Sequence, residues 1–398
     1  MQLLIEVKVM NNNTLQERPK QIREIYLVRA LAIIGVIMVH STSGVVASFN
    51  TDSSLYGVYN FLNIFFKFGT PTFIFLSSFV LFFNYYYKPL TKERITGFYK
   101  KRLLFIIIPY LIFSFLYFAM TASVQGYAST GEMAKAFLMD FLTGKAYTHL
   151  YFVFISIQLY VLFPFILMFL KKFPKVTKHT IWIGFVLQWT FVLLNHYYWQ
   201  YSLKGSISFS YMSYYFLGAF IGIHYQQIHD YLVVTKEKLF SKKALVWIPL
   251  WVIWVAASAG HVGVWYVTRA NGAMIDSKIY ELLWNVHTFT SAIVLMQISY
   301  WLYRHLHEKV LNVMIHLGVV SFGVYLIHPI LLLIARKVLV TGDPILYHVS
   351  VAAMFLFALI GSWIIVGNIM RIKQSWVLFG PKPKNPYVPS KKEAAQAS

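Results

Sequence analysis

The chain of 398 residues contains no cysteine, which removes disulfides, thiolate metal ligands and a cysteine nucleophile together. Acidic residues are scarce too, with 14 Asp and Glu against 35 Lys and Arg, and none lies in the middle of a long apolar run. An ion pump built on an intramembrane carboxylate therefore has no candidate group. The sequence has no Gly-rich phosphate loop ending in Lys-Ser or Lys-Thr, no Gly-x-Ser-x-Gly elbow and no His-Glu-x-x-His. An ATPase, a serine hydrolase and a zinc protease thus lack their signatures, and no metal site is expected. Charged residues make up only 12% of the chain, about half the share of a soluble domain.

In their place stand 58% hydrophobic and 18% aromatic residues. The formal charge of +21 would suggest nucleic acid in a soluble protein. Here the cations sit in short loops between apolar runs, so the lipid bilayer is the expected partner and nucleic acid is not. Crossing the hydrocarbon takes about 20 apolar residues. Ten runs of that kind are expected as spans, at about 26–46, 61–83, 103–122, 150–170, 180–199, 211–227, 244–262, 282–303, 318–338 and 348–369. Loops on one side of this arrangement carry 26 Lys and Arg, those on the other 8. Cations favour the cytoplasmic side, so an all-α polytopic membrane protein with both termini cytoplasmic is predicted.

Residues 1–24 read as a cytoplasmic tail without the features of a cleaved signal peptide. Residues 25–370 read as one membrane domain, and 371–398 as a basic, Pro-rich cytoplasmic tail, disordered from Lys373 and near anionic lipid. No internal repeat and no inverted pair of broken helices is visible, as many transporters would show.

Ionisable groups within spans are functional candidates by default. Arg29 and His40 share span 1, eleven residues apart. That spacing is about three turns plus 20°, so both side chains face one way, about 16 Å apart along the axis. The structural alternative makes Arg29 a snorkelling flank and His40 a polar residue satisfied by a neighbouring helix. A neutral imidazole deep in a span is, however, well suited to moving a proton. In span 9, offsets of four and three put Ser321, Tyr325 and His328 on one face just before Pro329, either as interhelical glue or as part of a site.

A basic run follows span 2, with Lys88, Lys92 and Arg94, then Lys100, Lys101 and Arg102 at the start of span 3. It serves as a topology signal, and Lys101 and Arg102 also suit the phosphates of a nucleotide-bearing donor. His149, His261, His305, His307 and His348 are expected to be solvated at loops or span edges. His287 in span 8, with Glu281 one to two turns earlier, is the exception among these and a candidate site residue.

Leu27-Val-Arg29-Ala-Leu-Ala followed by His40 resembles the first span of the acyltransferase-3 family of bacterial membrane proteins. Phe68-Gly-Thr-Pro-Thr-Phe-Ile-Phe-Leu-Ser77-Ser78, Phe98-Tyr-Lys-Lys101-Arg102 and Ser321-Phe-Gly-Val-Tyr325-Leu-Ile-His328-Pro329 are similar to three further family segments. Within the family the layout, with Tyr215-Phe-Leu-Gly-Ala-Phe-Ile-Gly222, looks most like the branch that handles the staphylococcal intercellular-adhesion polysaccharide. The chain departs from the pattern at Tyr26, where an acid is common, at Ser78, where Gly is usual, and at Phe105, where a further Arg often follows. The resemblance implies a bacterial plasma-membrane O-acyltransferase with no bound cofactor. Its donor would be cytoplasmic acyl-CoA, acetyl or succinyl, and its acceptor a hydroxyl of a cell-surface polysaccharide or lipid-linked glycan. Lys101 and Arg102 would bind donor, Arg29 and His40 would be catalytic, and Ser321, Tyr325 and His328 supporting. A glycan synthase would be a natural partner. The competing expectation is a polysaccharide exporter without chemistry.

Overall fold

The apolar runs become helices, because within hydrocarbon only an intrasegment hydrogen-bond ladder or a closed barrel satisfies the backbone. A computed structural model describes residues 21–383 and 386–388, and among the described residues there is no strand. The helices are α1 (Glu24–Ser48), α2 (Tyr56–Phe65), α3 (Gly69–Tyr85), α4 (Lys92–Gln125), α5 (Thr130–Thr143), α6 (Tyr151–Lys172), α7 (Thr180–Leu194), α8 (Met212–Ile223), α9 (Tyr225–Leu232), α10 (Ala244–Asn271), α11 (Ser277–His305), α12 (Glu308–Arg336) and α13 (Pro344–Ile369). A 3₁₀ turn at Phe66–Phe68 joins α2 to α3.

Seven stretches among the described residues are long and apolar enough to cross a membrane: α1, α2 with α3, α4, α6, α10, α12 and α13. Three of the ten expected spans fall outside that set. The run at 180–199 ends its α-helix at Leu194 and continues as a π-turn. The run at 211–227 breaks at His224 between α8 and α9. The run at 282–303 is a helix of 29 residues, but Asn285, Thr288, Thr290, Ser291, Gln297 and Ser299 make it less apolar than those seven.

The chain divides into two compact units. One is built mainly from Ile74–Leu103 and Ile155–Asp230. In it α8 lies against α3 and α7 with almost no side-chain spacer. A Cβ on Gly218 would meet the Phe75 carbonyl oxygen at 2.4 Å, and one on Gly184 would meet the Met212 carbonyl oxygen at 2.8 Å. Small residues at such crossings let backbones touch. Ser78, the departure from the family's Gly, donates its hydroxyl to the Tyr215 carbonyl at the same crossing.

The other unit holds Arg23–Phe73, Leu104–Phe154 and the described residues from Tyr231 onward. Its centre is the pair α1 and α12. A Cβ on Gly318 would lie 1.9 Å from the Tyr26 carbonyl oxygen, so the two helices cross in backbone contact. Tyr26 meets Gly318, Arg29 meets Ser321 and His40 meets His328, so the helices run parallel. By contrast α10 runs antiparallel to α2 and to α11, as shown by Gly57 at Tyr266 and Phe65 at Trp254, and by His261 at His287 and Trp251 at Gln297.

Two expectations need correction. The tail from Lys373 was expected to be disordered, yet Lys373–Ser375 and Trp376–Phe379 are short helical turns. Phe379 is buried against Gly323 and Phe113, and Val388 exchanges two hydrogen bonds with Asn312. The aromatic residues in this Pro-rich segment supply the packing that its charge count concealed. The rest of the expected tails, residues 1–20, 384–385 and 389–398, lies outside the described residues. The second correction is α5, which replaces an expected loop. Ser129 caps it by accepting from the Glu132 N–H, and Gly144 ends it in the left-handed region at φ 77°, where a side chain would be strained.

Candidate active site

Arg29 is half-buried on α1, and its Nε donates to Ser321 Oγ at 3.1 Å. The Ser321 hydroxyl in turn donates to the Gly318 carbonyl at 2.9 Å, so the glycine that allows the close crossing also anchors the serine. Three turns further along α1, the His40 ring lies against the His328 ring, with centroids 5.3 Å apart. The parallel helices therefore hold two polar rungs, Arg29–Ser321 and His40–His328.

The rung at His40 is part of a larger group. The rings of His149 and His328 are 5.7 Å apart, and those of His149 and Tyr325 are 5.3 Å apart. The Tyr325 hydroxyl donates to the His149 carbonyl. Tyr117 packs edge-on to His149 and donates to the Leu326 carbonyl at 2.7 Å, beside the Tyr325 carbonyl whose helical partner Pro329 removes. Tyr147 stacks on Tyr117 with centroids 4.5 Å apart. Burial pushes the Tyr147 phenol above its ordinary pKa, with the Arg336 guanidinium pulling the other way. Arg336 Nη2 donates to the His40 carbonyl at 2.9 Å, placing a fixed positive charge at this rung.

The hydrogen bonds assign protons. His328 Nδ1 lies 3.1 Å from the Val324 carbonyl, which can only accept, so in the neutral ring Nδ1 carries the proton and Nε2 keeps a lone pair. That Nε2, and both ring nitrogens of His149, have no hydrogen-bond partner among the described residues. His149 and His328 are fully buried, whereas His40 is half-buried. His40 is thus the accessible member, backed by two buried imidazoles. Among the described residues no three His, Asp or Glu side chains converge as a metal cage would require.

Lys101 and Arg102 lie on the first part of α4, in the other compact unit. Lys101 is exposed and Arg102 half-buried, and neither side chain forms a hydrogen bond or ion pair among the described residues. His149 had been expected to be solvated, and its burial overturns that. It sits in a turn before α6, where no periodicity marks an inward position; only the aromatic run around it, Tyr147 to Tyr151, hinted at packing. His261, also expected to be solvated, is buried against His287 with Nδ1 atoms 3.1 Å apart.

An imidazole within reach of solvent, braced by buried imidazoles and a guanidinium, has the chemistry to carry a proton or an acyl group. The profile of the family described as "Acyltransferase domain" matches residues 22–367. The chain belongs to this acyltransferase-3 family and is a multi-pass bacterial membrane acyltransferase. It is similar to a protein of Staphylococcus aureus strain N315 described as a probable poly-beta-1,6-N-acetyl-D-glucosamine export protein, 24% identical over 316 residues that cover 76% of this chain and 79% of the relative. A protein of the same description from Staphylococcus epidermidis is 25% identical over 369 residues, covering 87% of this chain and 91% of the relative. No solved structure matches the chain.

Proposed function

We propose that the protein transfers an acetyl or succinyl group from cytoplasmic acyl-CoA to a hydroxyl of a cell-surface polysaccharide or lipid-linked glycan, with His40 at the centre of the reaction. The observation that carries this reading is the His40 ring, half-buried, facing His328 on the same side of α1 as Arg29. Lys101 and Arg102 hold the donor's phosphates by charge-assisted hydrogen bonds, and Arg29 attracts the donor inward. His40 accepts the proton of the sugar hydroxyl as its oxygen attacks the thioester carbonyl. The carbon–sulfur bond breaks, and the proton on His40 passes to the leaving thiolate. In the covalent variant of this route, the imidazole nitrogen takes the acyl group first and yields it to the sugar. Tyr325 fixes the His149 turn, and His328 and Ser321 hold the two rungs in register.

A donor made on one face and an acceptor presented on the other require a protein open to both, and helix directions support a ten-span path with both termini cytoplasmic. Chain order places α4 and α6 between α3 and α10, returning the chain to the side where α3 ends, which agrees with α10 running antiparallel to α2. For α12 to run parallel to α1, α11 must then cross as well. Within the smaller unit α8 runs alongside α3, with Gly218 at Phe75 and Gly222 at Phe79, while α7 runs opposite to α8. Those two then cross as a pair. The 26 to 8 division of Lys and Arg supports the same sidedness.

Replacement of His40 by Ala, with incorporation of labelled acyl groups into surface polysaccharide as readout, tests the reading. Loss of label at unchanged protein level is expected, and full labelling overturns it. The relatives' description as export proteins favours a second reading, transport of the polymer without chemistry. In that case His40→Ala leaves the amount of exported polymer unchanged and no acyl-CoA is needed.

A further inference from the structure

The last turns of α10 gather cations without a counter-charge, close to the end of α1 that carries His40, since Asn63, which binds Arg269, also donates to the Val39 carbonyl at 3.1 Å. Lys67 Nζ lies 4.6 Å from the centre of the Trp265 ring, and Arg269 Cζ lies 4.8 Å from the same ring. Arg269 does not turn to solvent. Its Nη1 and Nη2 donate to the side-chain oxygens of Asn60 and Asn63, at 3.0 and 3.1 Å, and both asparagines are buried. A guanidinium has five N–H donors, so donors remain after these two bonds. Among the described residues no carboxylate pairs with Lys67 or Arg269. Two cations held together in a membrane protein and lacking an acid repel each other, unless an anion joins them.

Next to this pair, α2 and α10 leave a cavity of about 510 Å³, lined by Gly57, Asn60, Phe65, Trp254, Gly263 and Tyr266 among others. Its lining is almost wholly apolar. Trp254 turns its Nε1 away to Ser291, at 2.9 Å, leaving its ring to the cavity. The lining runs along α10 from Trp254 to Val267, about 20 Å at 1.5 Å per residue, the reach of an acyl chain through one leaflet. Arg269 follows Val267 at the outer end, and Asn60 belongs to both the cavity wall and the guanidinium's bonds. Tyr266 lines that end, and Trp265, the neighbouring residue that carries both cations on its ring, packs edge-on against Tyr280, the aromatic setting usual at headgroup level.

We infer that this groove binds an anionic phospholipid, with one acyl chain along α10 and the headgroup phosphate on Arg269 and Lys67. Charge decides the class: a zwitterionic lipid brings its own cation, whereas the planar guanidinium fork beside an ammonium matches a phosphate with net negative charge. The site shares no residue with the proposed acyl transfer, and its test reads lipid retention, so the two fail by different measurements.

The full chain, reconstituted in nanodiscs of phosphatidylcholine with or without phosphatidylglycerol, provides the test by native mass spectrometry and thermal unfolding. Wild-type protein is expected to retain one phosphatidylglycerol and to unfold at higher temperature when that lipid is present. Lys67→Gln and Arg269→Gln should each weaken retention about tenfold, about 1.4 kcal/mol. Gly263→Phe should also displace the lipid by filling the groove, since nothing lies within 4 Å of a Cβ placed there, while leaving both cations intact. Soluble glycerol phosphate, which has the headgroup without the chain, should not compete. Equal retention of phosphatidylcholine, full competition by glycerol phosphate or an unchanged Gly263→Phe variant overturns the site. The competition needs no variant, so misfolding of Arg269→Gln leaves the outcome readable.

Discussion

Two histidine pairs in the same compact unit have nearly the same ring separation, 5.3 Å for His40–His328 and 5.4 Å for His261–His287, yet they are built differently. His261 and His287 face each other through Nδ1 at 3.1 Å, so each ring fixes the other, and both are buried. His328 instead spends its Nδ1 on its own helix, and no bond joins it to His40. Each pair contains a buried nitrogen without a partner, at His287 Nε2 and His328 Nε2, so that feature does not separate them. Access does: His40 is half-buried, with Arg336 donating to its carbonyl and Arg29 on its face of α1, whereas Phe65 packs on His287 and the other pair is closed, although it too has cations nearby in Lys67 and Arg269. Two histidine pairs of nearly equal ring separation thus differ in where the second nitrogen and the open edge of each ring point.

The largest expected effect tests that contrast directly. His40→Ala should lower acyl transfer by about 10²–10⁴-fold, the range of a positioned acid–base group, measured as acyl incorporation per unit of membrane protein; an equal loss in His261→Ala would break the comparison. His149→Ala and His328→Ala should each lose up to about 10²-fold through misplacement of His40. That loss should appear in kcat with KM for acyl-CoA little changed, and a pure KM effect would move both residues to donor binding. Arg102→Ala should raise the acyl-CoA KM about tenfold by removing one phosphate contact, and an unaltered KM places the donor elsewhere. The smallest effect is expected for His261→Ala, with activity within about threefold of wild type and a loss of about 1–3 kcal/mol in unfolding, because a buried partner is left unpaired.

Much of the architecture was legible because hydrophobicity and length act residue by residue. Seven of the expected runs are long apolar helices. The other three were harder to read for local reasons. Polar residues in α11 face neighbours such as Trp251 and Trp254, and Gly218 and Gly222 serve a helix crossing rather than a break. The alignment of Arg29 with His40 follows from helical pitch, and the stripe of Ser321, Tyr325 and His328 from offsets of four and three. That these two stripes meet does not follow from either. His149, Arg336 and Tyr117 join the site from a turn, a helix end and another helix, and no spacing links them to His40. The capping signal of α5, Ser129 with Glu132 and a closing Gly144, was present but masked by the weak apolar pattern between spans.

The amino-acid sequence alone therefore determined an all-helical membrane chain, the family to which it belongs, and one face of α1 carrying a guanidinium and an imidazole, since these depend on composition and on a helix's own geometry. Tertiary structure alone decided which histidines come together and which of them stays within reach of solvent. That depends on a backbone contact at Gly318, on where carbonyls far along the chain take up ring nitrogens, and on which ring keeps an open edge, and none of these is a property of any single segment.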